Sequence, residues 1–160
     1  MQQFIRRVEE NIARQHLLKD GAKVLVAVSG GVDSMVLLHV LHELAPLHQW
    51  SLTVAHFNHQ LRGRAAEADL RFVQRAAQKL GLPFESATAN VQQFATAQKL
   101  SVEMAARKLR HEFLARTARA VGAKQIALAH HADDQTELFF LRLLRGAGSG
   151  GLGGDRKSVV

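Results

Sequence analysis

An unbroken apolar run that ends in a glycine turn constrains the fold of this chain more than any other feature. The run is Val24–Val28, and it is followed at once by Ser29-Gly30-Gly31 and then by a Leu- and Val-rich helical pattern over Asp33–Leu44. A short run without polar residues is typical of a strand that is buried on both faces of a sheet. Strand, tight turn and helix in this order predict the first unit of an α/β fold.

Further strand-like and helix-like segments alternate after this first unit. The remaining predicted strands are Ser51–His56, Pro83–Thr88 and Gln125–Ala129, and the remaining predicted helices are Ala65–Leu80, Ser101–Val121 and Gln135–Arg145. We expect Ser101 to cap its helix and Gly122 to end it. Ahead of them, residues 1–18 mix charged and apolar positions in the manner of an amphipathic helix. Alternating strands and helices predict an open parallel sheet with helices on both faces, a Rossmann-like α/β fold.

The length and composition fit one globular domain without a membrane segment. The 160 residues are 47% hydrophobic and 22% charged, an ordinary balance for a domain with its own core. No apolar run approaches the roughly 18 residues that a membrane span needs, and the N-terminus lacks the apolar core of a signal peptide. We therefore expect a cytoplasmic location and no membrane partner.

The chain contains no cysteine and carries a formal net charge of +7. The absence of cysteine excludes disulfides, thiolate metal ligands and cysteine nucleophiles within this sequence. The positive charge favours a polyanionic partner, because Lys and Arg near phosphates release counterions. Many basic proteins bind no nucleic acid, so charge alone leaves that partner open.

The C-terminal segment differs in composition from the rest of the chain. Residues 146–154 form a glycine-rich run, which is typical of a loop or linker. Only Asp155–Val160 follows, although an open sheet would continue with another strand after the predicted helix. We expect residues 1–154 to form the domain, incomplete at its C-terminus, and residues 155–160 to be a tail that does not belong to it.

The turn over residues 29–34, with the letters S-G-G-V-D-S, has the chemistry of a phosphate cradle. Two glycines let successive backbone N–H groups point at one spot, and the following helix adds its positive dipole end. Two serine hydroxyls add donors, and Asp33 is a candidate ligand for Mg²⁺ between phosphates. The lysine of a kinase-type loop is absent, so the turn suits the departing pyrophosphate of ATP. An ordinary glycine-rich turn is the alternative.

Two further polar segments lie where an open sheet collects its ligand contacts, beside the carboxyl ends of the strands. His56–Gly63 has the pattern H-x-N-H-x-L-R-G and offers ring, amide and guanidinium groups to a nucleotide, although a solvated loop would look the same. Arg107 and Arg110 are three residues apart on a predicted helix and share one face. That face could clamp phosphate or be a solvated basic surface.

The segment after the last predicted strand, Ala129–Glu137, is dense in histidines and carboxylates. A metal site is one interpretation, but adjacent side chains rarely all face one ion. Asp133 or Asp134 could instead cap the helix that follows. Asp134 and Glu137, three residues apart in the first helical turn, could together hold an ammonium group.

The turn matches the signature of the PP-loop ATP pyrophosphatases, and the four motifs together resemble the tRNA(Ile)-lysidine synthetase family over about residues 20–152. The resemblance implies that ATP adenylates the C2 oxygen of the wobble cytidine in a tRNA(Ile) with a CAU anticodon. The side-chain amine of free L-lysine then displaces AMP. ATP and Mg²⁺ are the implied cofactors, and a homodimer is compatible with the sequence, which does not fix the oligomeric state.

The resemblance also assigns residues to these tasks. The implied catalytic residues are Asp33, which would also bind Mg²⁺, Arg110 and His131, with His130 beside the transferring centre. Asp134 and Glu137 would receive the lysine. The residues assigned to ATP are Ser29, Gly30, Gly31, Val32, Asp33, Ser34, His56, Asn58, Arg62 and Arg107.

Three alternatives stay open. The turn alone would fit GMP, NAD or asparagine synthetases, and tRNA cytidine thiolases share it but use cysteines, which this chain lacks. A module that binds nucleotide without chemistry, as in stress-type proteins of related fold, would not need the segment Ala129–Glu137. A fragment without activity is the third alternative, because members of the resembled family continue well beyond this length.

Overall fold

The structure is a computed structural model that describes residues 2–60, 63–130 and 140–145. Its elements in chain order are α1 (Gln2–Arg14), β1 (Lys23–Ala27), α2 (Val32–His48), β2 (Ser51–Asn58), α3 (Arg64–Lys79), β3 (Phe84–Thr88), α4 (Val91–Gln98), α5 (Val102–Val121), β4 (Gln125–His130) and β5 (Phe140–Arg145). Within these ranges no helix combines the length and the apolar character needed to cross a membrane.

The strands form one sheet in the order β3-β2-β1-β4-β5. The first four are parallel, and β5 runs antiparallel to β4. From β1 the chain moves outward to β2 and β3 and then returns to the other side of β1 as β4. The strand order therefore reverses between β1 and β4, which is where open α/β sheets bind ligands at their carboxyl edge.

Alternate residues of β1 point into two separate cores, so the sheet is covered on both faces. Val24 and Val26 pack with Leu38 of α2 and Val73 of α3 on one face. On the opposite face Leu25 belongs to a core that α5 completes, chiefly with Phe113, Leu114 and Ala118. This arrangement confirms the predicted α/β sheet with helices on both faces, and it explains why the run Val24–Val28 contains no polar residue.

The helix boundaries follow the capping signals in the sequence. Ser101 accepts a hydrogen bond at its Oγ from the backbone N–H of Met104 (3.1 Å) and so caps α5, as predicted. Gly122 ends that helix with φ +70°, a left-handed conformation that glycine adopts without steric cost. The amphipathic N-terminal helix is confirmed as α1, which buries Ile5 and Ile12 against α2 and the sheet.

Three features differ from the sequence-based expectations. The segment Gln135–Arg145 was expected to be helical, but residues 140–145 form β5, because a short apolar run fits either structure and here it pairs with the open edge of β4. The sheet is consequently mixed at that edge rather than wholly parallel. The helix α4 was not predicted, although Asn90 caps it by accepting from the N–H of Gln93 (3.0 Å). The predicted linker and tail, residues 146–160, lie outside the described residues.

Candidate functional site

The glycine turn lies between the end of β1 and the start of α2, as predicted. Gly31 is the N-cap of α2, and Val32 is its first residue. Gly30 has φ +94°, which side-chain-bearing residues rarely adopt, and a Cβ there would lie 3.4 Å from the Cβ of Asp69 on α3. The turn therefore depends on glycine at position 30 for its backbone path, and it leaves the N-terminal amides of α2 at the edge of the sheet.

Two serine hydroxyls close this turn on itself. Ser34 Oγ donates to the carbonyl oxygen of Gly31 (2.8 Å) and accepts from the backbone N–H of Ser29 (3.2 Å). Since that donation uses the single Ser34 hydroxyl proton, Ser29 Oγ is the donor in the 3.1 Å contact between the two hydroxyls. Ser29 Oγ also accepts from the N–H of Gly31 (3.3 Å). The hydroxyls thus fix the shape of the turn.

Hydrogen bonds to backbone groups fix the side chains of two polar residues at the end of β2. His56 is buried, and its Nδ1 donates to the carbonyl oxygen of Val28 at 2.8 Å, because a carbonyl oxygen can only accept. In the neutral ring this bond leaves Nε2 as the acceptor. Asn58 is also buried and accepts at Oδ1 from the backbone N–H of Gln60 (2.9 Å). Both side chains are therefore oriented before any ligand arrives.

A cleft of about 380 Å³ opens where β1, β2 and β4 end. Its floor is apolar and comes from Ala27, Ala55, Leu114 and Leu128. The polar residues that line it are Ser29, Ser34, His56, Asn58, His59, Asp69 and Arg110. The volume lies within the range of small-molecule sites, and an apolar floor with a few converging polar groups is their usual composition.

Two of the lining side chains have buried polar atoms without a hydrogen-bond partner among the described residues, His59 Nδ1 and Arg110 Nε. Burial lowers the pKa of Arg110, and the nearby charge of Arg107 lowers it further. Burial likewise lowers the pKa of His59, followed by the charges of Arg110 and His56. Buried donors and charges without partners are costly, so the cleft favours a ligand that supplies negative charge and acceptor atoms.

The structure brings five of the predicted residues into this cleft: Ser29, Ser34, His56, Asn58 and Arg110. The neighbouring turn residues Gly30, Gly31, Val32 and Asp33 lie beside it but do not line it, and Val32 is 78% exposed. Arg107 is exposed on α5 and acts on Arg110 through its charge. Arg62, His131, Asp134 and Glu137, together with the side chain of His130, lie outside the described residues.

Two polar lining residues, His59 and Asp69, were not among the predicted site residues. His59 belongs to the H-x-N-H-x-L-R-G pattern, and its position close after a strand could have identified it as a ligand contact. Asp69 lies on α3, within a helical pattern that carries no local sign of a ligand site. Only the close approach of α3 to Gly30 reveals it.

The residues beside the glycine turn fit a Mg²⁺ ion that is held jointly by protein and phosphate oxygens. Among the described residues no group of three or more His, Asp or Glu side chains is placed to bind a metal ion. Mg²⁺ usually takes only one or two carboxylates and completes its coordination with phosphates and water. Asp33, in the first turn of α2 beside the glycine turn, fits that requirement.

Comparisons with known proteins agree with this geometry. A family model described as a PP-loop domain matches residues 1–159. The chain is 45% identical over 148 residues to the tRNA(Ile)-lysidine synthase of Geobacter sulfurreducens, covering 92% of this chain and 31% of that protein. It is 43% identical over 147 residues to the tRNA(Ile)-lysidine synthase of Chlorobaculum tepidum, covering 92% of this chain and 44% of that protein. The chain thus spans less than half the length of these relatives.

A solved structure shares the fold. The U34-tRNA thiolase NcsA from Methanococcus maripaludis superposes with a TM-score of 0.63 at 19% identity, over 79% of this chain and 44% of that chain. At this identity the likeness shows the architecture alone. The family match supports ATP binding by the domain. This chain belongs to the PP-loop domain family.

Proposed function

We propose that this domain carries the ATP-dependent step of a tRNA(Ile)-lysidine synthase-type ligase. In the proposed reaction the C2 oxygen of the wobble cytidine attacks the α-phosphorus of ATP and pyrophosphate leaves. The side-chain amine of free L-lysine then attacks C2, and AMP leaves with the oxygen. The kinship to proteins named tRNA(Ile)-lysidine synthase supports this choice of substrates over the alternatives.

The observation that carries the ATP step is the convergence of Arg110 with the glycine turn. Arg110 comes from the middle of α5 and Ser29 from the turn that follows β1, yet both line one cleft. Arg110 Nε is buried and has no hydrogen-bond partner among the described residues, so the guanidinium favours an anionic ligand. A phosphate chain between the turn and this guanidinium would satisfy both, because arginine and helix N-terminal amides are the preferred ligands of phosphate.

The residues of the turn have separable tasks in this proposal. The backbone amides around Gly30 and Gly31 bind the pyrophosphate part of ATP, and Ser29 and Ser34 hold those amides in place. Asp33 would hold Mg²⁺, and the ion would offset the negative charge that builds up on the leaving group. Arg110 stabilises the same developing charge from the opposite side.

The remaining assignments concern residues that do not line the cleft or that lie outside the described residues. Asp134 and Glu137 are proposed to bind the ammonium group of lysine, and His131 to act beside the transferring centre. Arg62 and Arg107 are proposed as outer contacts of the nucleotide. The RNA partner is a tRNA(Ile) with a CAU anticodon, and a cytoplasmic location and a homodimer stay predictions.

The proposal is tested by incubating the protein with ATP, Mg²⁺, radiolabelled L-lysine and a tRNA(Ile) that has a CAU anticodon. We expect ATP-dependent label in the RNA, with one AMP and one pyrophosphate released for each lysine attached. A tRNA(Ile) with a GAU anticodon is the matched control and should stay unlabelled, because it offers no wobble cytidine.

The other outcomes separate the alternatives. ATP binding without label and without pyrophosphate release would indicate a nucleotide-binding module. Release of pyrophosphate with sulfur, rather than lysine, entering the RNA would indicate a thiolase. Either result contradicts the proposed ligase activity.

A further inference from the structure

His59 occupies a special position at the cleft. It is the first residue after β2, and its ring packs edge-on against Phe57 at 4.8 Å between centroids. Phe57 in turn packs on Phe113 of α5 at 5.7 Å. The ring of His59 is therefore held in place by aromatic packing. Its buried Nδ1 nevertheless has no partner among the described residues.

Arg110 presents the same feature from α5. Its Nε is buried and has no hydrogen-bond partner among the described residues, and Arg110 lines the same cleft as His59. A satisfied core histidine or arginine would show a carbonyl or carboxylate partner, as His56 does at 2.8 Å with Val28. Two such atoms in one cleft favour a ligand as their partner.

The charges around His59 decide its protonation. Arg110 and Arg107 both belong to α5; Arg110 acts on His59, and Arg107 acts on Arg110. His56, which also acts on His59, lies on β2. Of the lining residues, α3 contributes Asp69, the one carboxylate, while β4 contributes only apolar side chains. Burial has the largest effect in lowering the pKa of His59, and Arg110 and then His56 lower it further, so the ring is neutral when no anion is bound.

We propose that His59 is a further phosphate contact of this site, which takes up one proton from solvent when a phosphate group of the nucleotide binds beside Arg110 and then donates to it from Nδ1. The reason is electrostatic. A bound phosphate cancels the positive field of Arg110 at the ring and supplies the acceptor that Nδ1 lacks, and both effects favour the imidazolium. This inference rests on the proposed function, because it takes the ligand to be ATP.

A different role for His59 would give a different result for proton uptake. A neutral ring protonated on Nε2 could accept at Nδ1 from a ribose hydroxyl, in which case nucleotide binding would involve no proton at His59. The guanidinium of Arg110 favours the anion, because its buried Nε has no partner among the described residues and a hydroxyl would not compensate its charge.

The test is isothermal titration calorimetry of ATP binding, in two buffers of different ionisation enthalpy, at about pH 7.5, above the ordinary pKa of histidine. The difference in heat between the buffers gives the number of protons taken up. The comparison is between wild type, His59→Gln and the matched control His39→Gln, since His39 is exposed on α2 and away from the cleft. Protons exchanged by ATP itself cancel in this comparison.

Wild type and His39→Gln should each take up more protons per bound ATP than His59→Gln does, and the difference should reach at most about one proton. The affinity lost in His59→Gln should be about tenfold near pH 6 and should shrink as the pH rises, because the wild-type ring then no longer protonates. Histidine NMR of the wild type provides a second readout. The titration midpoint of His59 should rise on addition of AMP, inorganic pyrophosphate or ATP.

Equal proton uptake in wild type and His59→Gln overturns the inference, as does a His59 midpoint that none of the three ligands moves. If ATP produces no heat in either buffer and no NMR shift, both the inference and the ATP step fail. The proposed function fails alone if the proton is taken up normally but no lysine enters the tRNA.

Discussion

His56 donates from Nδ1 to the carbonyl oxygen of Val28 at 2.8 Å, and this bond joins the end of β2 to the residue before the glycine turn. The two residues are 28 positions apart in the sequence. The backbone N–H of Val28 completes the junction by donating to Ala55 O at 2.9 Å. These two hydrogen bonds continue the pairing of β1 with β2 past the end of β1. They fix the start of the glycine turn at the carboxyl edge of the sheet.

Replacing His56 tests this junction. His56→Leu removes the buried donor and leaves the Val28 carbonyl oxygen without it, so the free energy of unfolding should fall by about 1–3 kcal/mol. ATP affinity should fall as well, because the turn loses its support. Urea denaturation and calorimetry measure the two effects. His39→Leu, at an exposed position of α2, should change neither, and an unchanged stability of His56→Leu would contradict the account.

The backbone of Gly30 gives a second prediction. Gly30→Ala forces a side chain onto a residue with φ +94°, and its Cβ would face Asp69 at 3.4 Å. We expect a loss of about 1–3 kcal/mol in stability and a marked loss of ATP affinity. Gly21→Ala is the matched control, since Gly21 also has positive φ (+73°) but open space around it and lies before β1, away from the cleft. It should lose stability while it retains ATP affinity. Equal ATP affinities in the two variants would refute the assignment of the turn.

Arg110 should show opposite effects on stability and binding. Arg110→Met removes a half-buried guanidinium whose Nε has no hydrogen-bond partner among the described residues, and it keeps much of the side-chain volume, so the free energy of unfolding should rise by about 1 kcal/mol. ATP affinity should fall at least tenfold, because the phosphate loses a charged donor. Arg116→Met, an exposed change on the same helix, should leave both unchanged. A stability loss in Arg110→Met would mean that the protein itself satisfies the guanidinium.

A histidine at the opposite end of the sheet predicts how stability depends on pH. His48 Nδ1 lies 2.8 Å from Asp20 Oδ1, and Nε2 lies 2.9 Å from Glu9 Oε1. A ring with a carboxylate at each nitrogen can donate to both only as the imidazolium. The hydrogen bond to Asp20 raises the pKa of His48, with help from Glu9, against the opposing effect of burial.

The sign of the pH effect follows from this raised pKa. The contribution of His48 is complete below its unfolded-state pKa of about 6.5 and disappears as the pH rises through the higher folded-state value. The stability difference between wild type and His48→Gln should therefore shrink from about pH 6 to pH 9. Trp50, the one tryptophan of the chain, stacks on His48 at 4.6 Å and gives a fluorescence signal for the unfolding measurements. A pH-independent difference would contradict the assignment.

Local patterns predicted most of the fold because their physical causes are local. The apolar run Val24–Val28, the Ser101 cap and the αL glycine at position 122 each reflect the environment of a single element, and all three are confirmed. The strand β5 was missed because its apolar residues fit a helix or a strand, and only its pairing with β4 decides between them.

The cleft was predictable only in part, for a related reason. Ser29 and Ser34 come shortly after β1, and His56 and Asn58 lie at the end of β2, so parallel topology brings them to one edge. Asp69 is there because α3 packs close to Gly30, a contact that no local pattern encodes. Whether His59 Nδ1 and Arg110 Nε find a partner among the described residues likewise depends on how three elements surround the cleft.

The most direct test of the central claim is a crystal structure of this protein with a non-hydrolysable ATP analogue and Mg²⁺. We expect the triphosphate to bind at the amides of Gly30 and Gly31, with the guanidinium of Arg110 on a phosphate oxygen and the metal ion beside Asp33. A nucleotide bound elsewhere on the molecule, or one held in the cleft with Arg110 turned away from its phosphates, would contradict it.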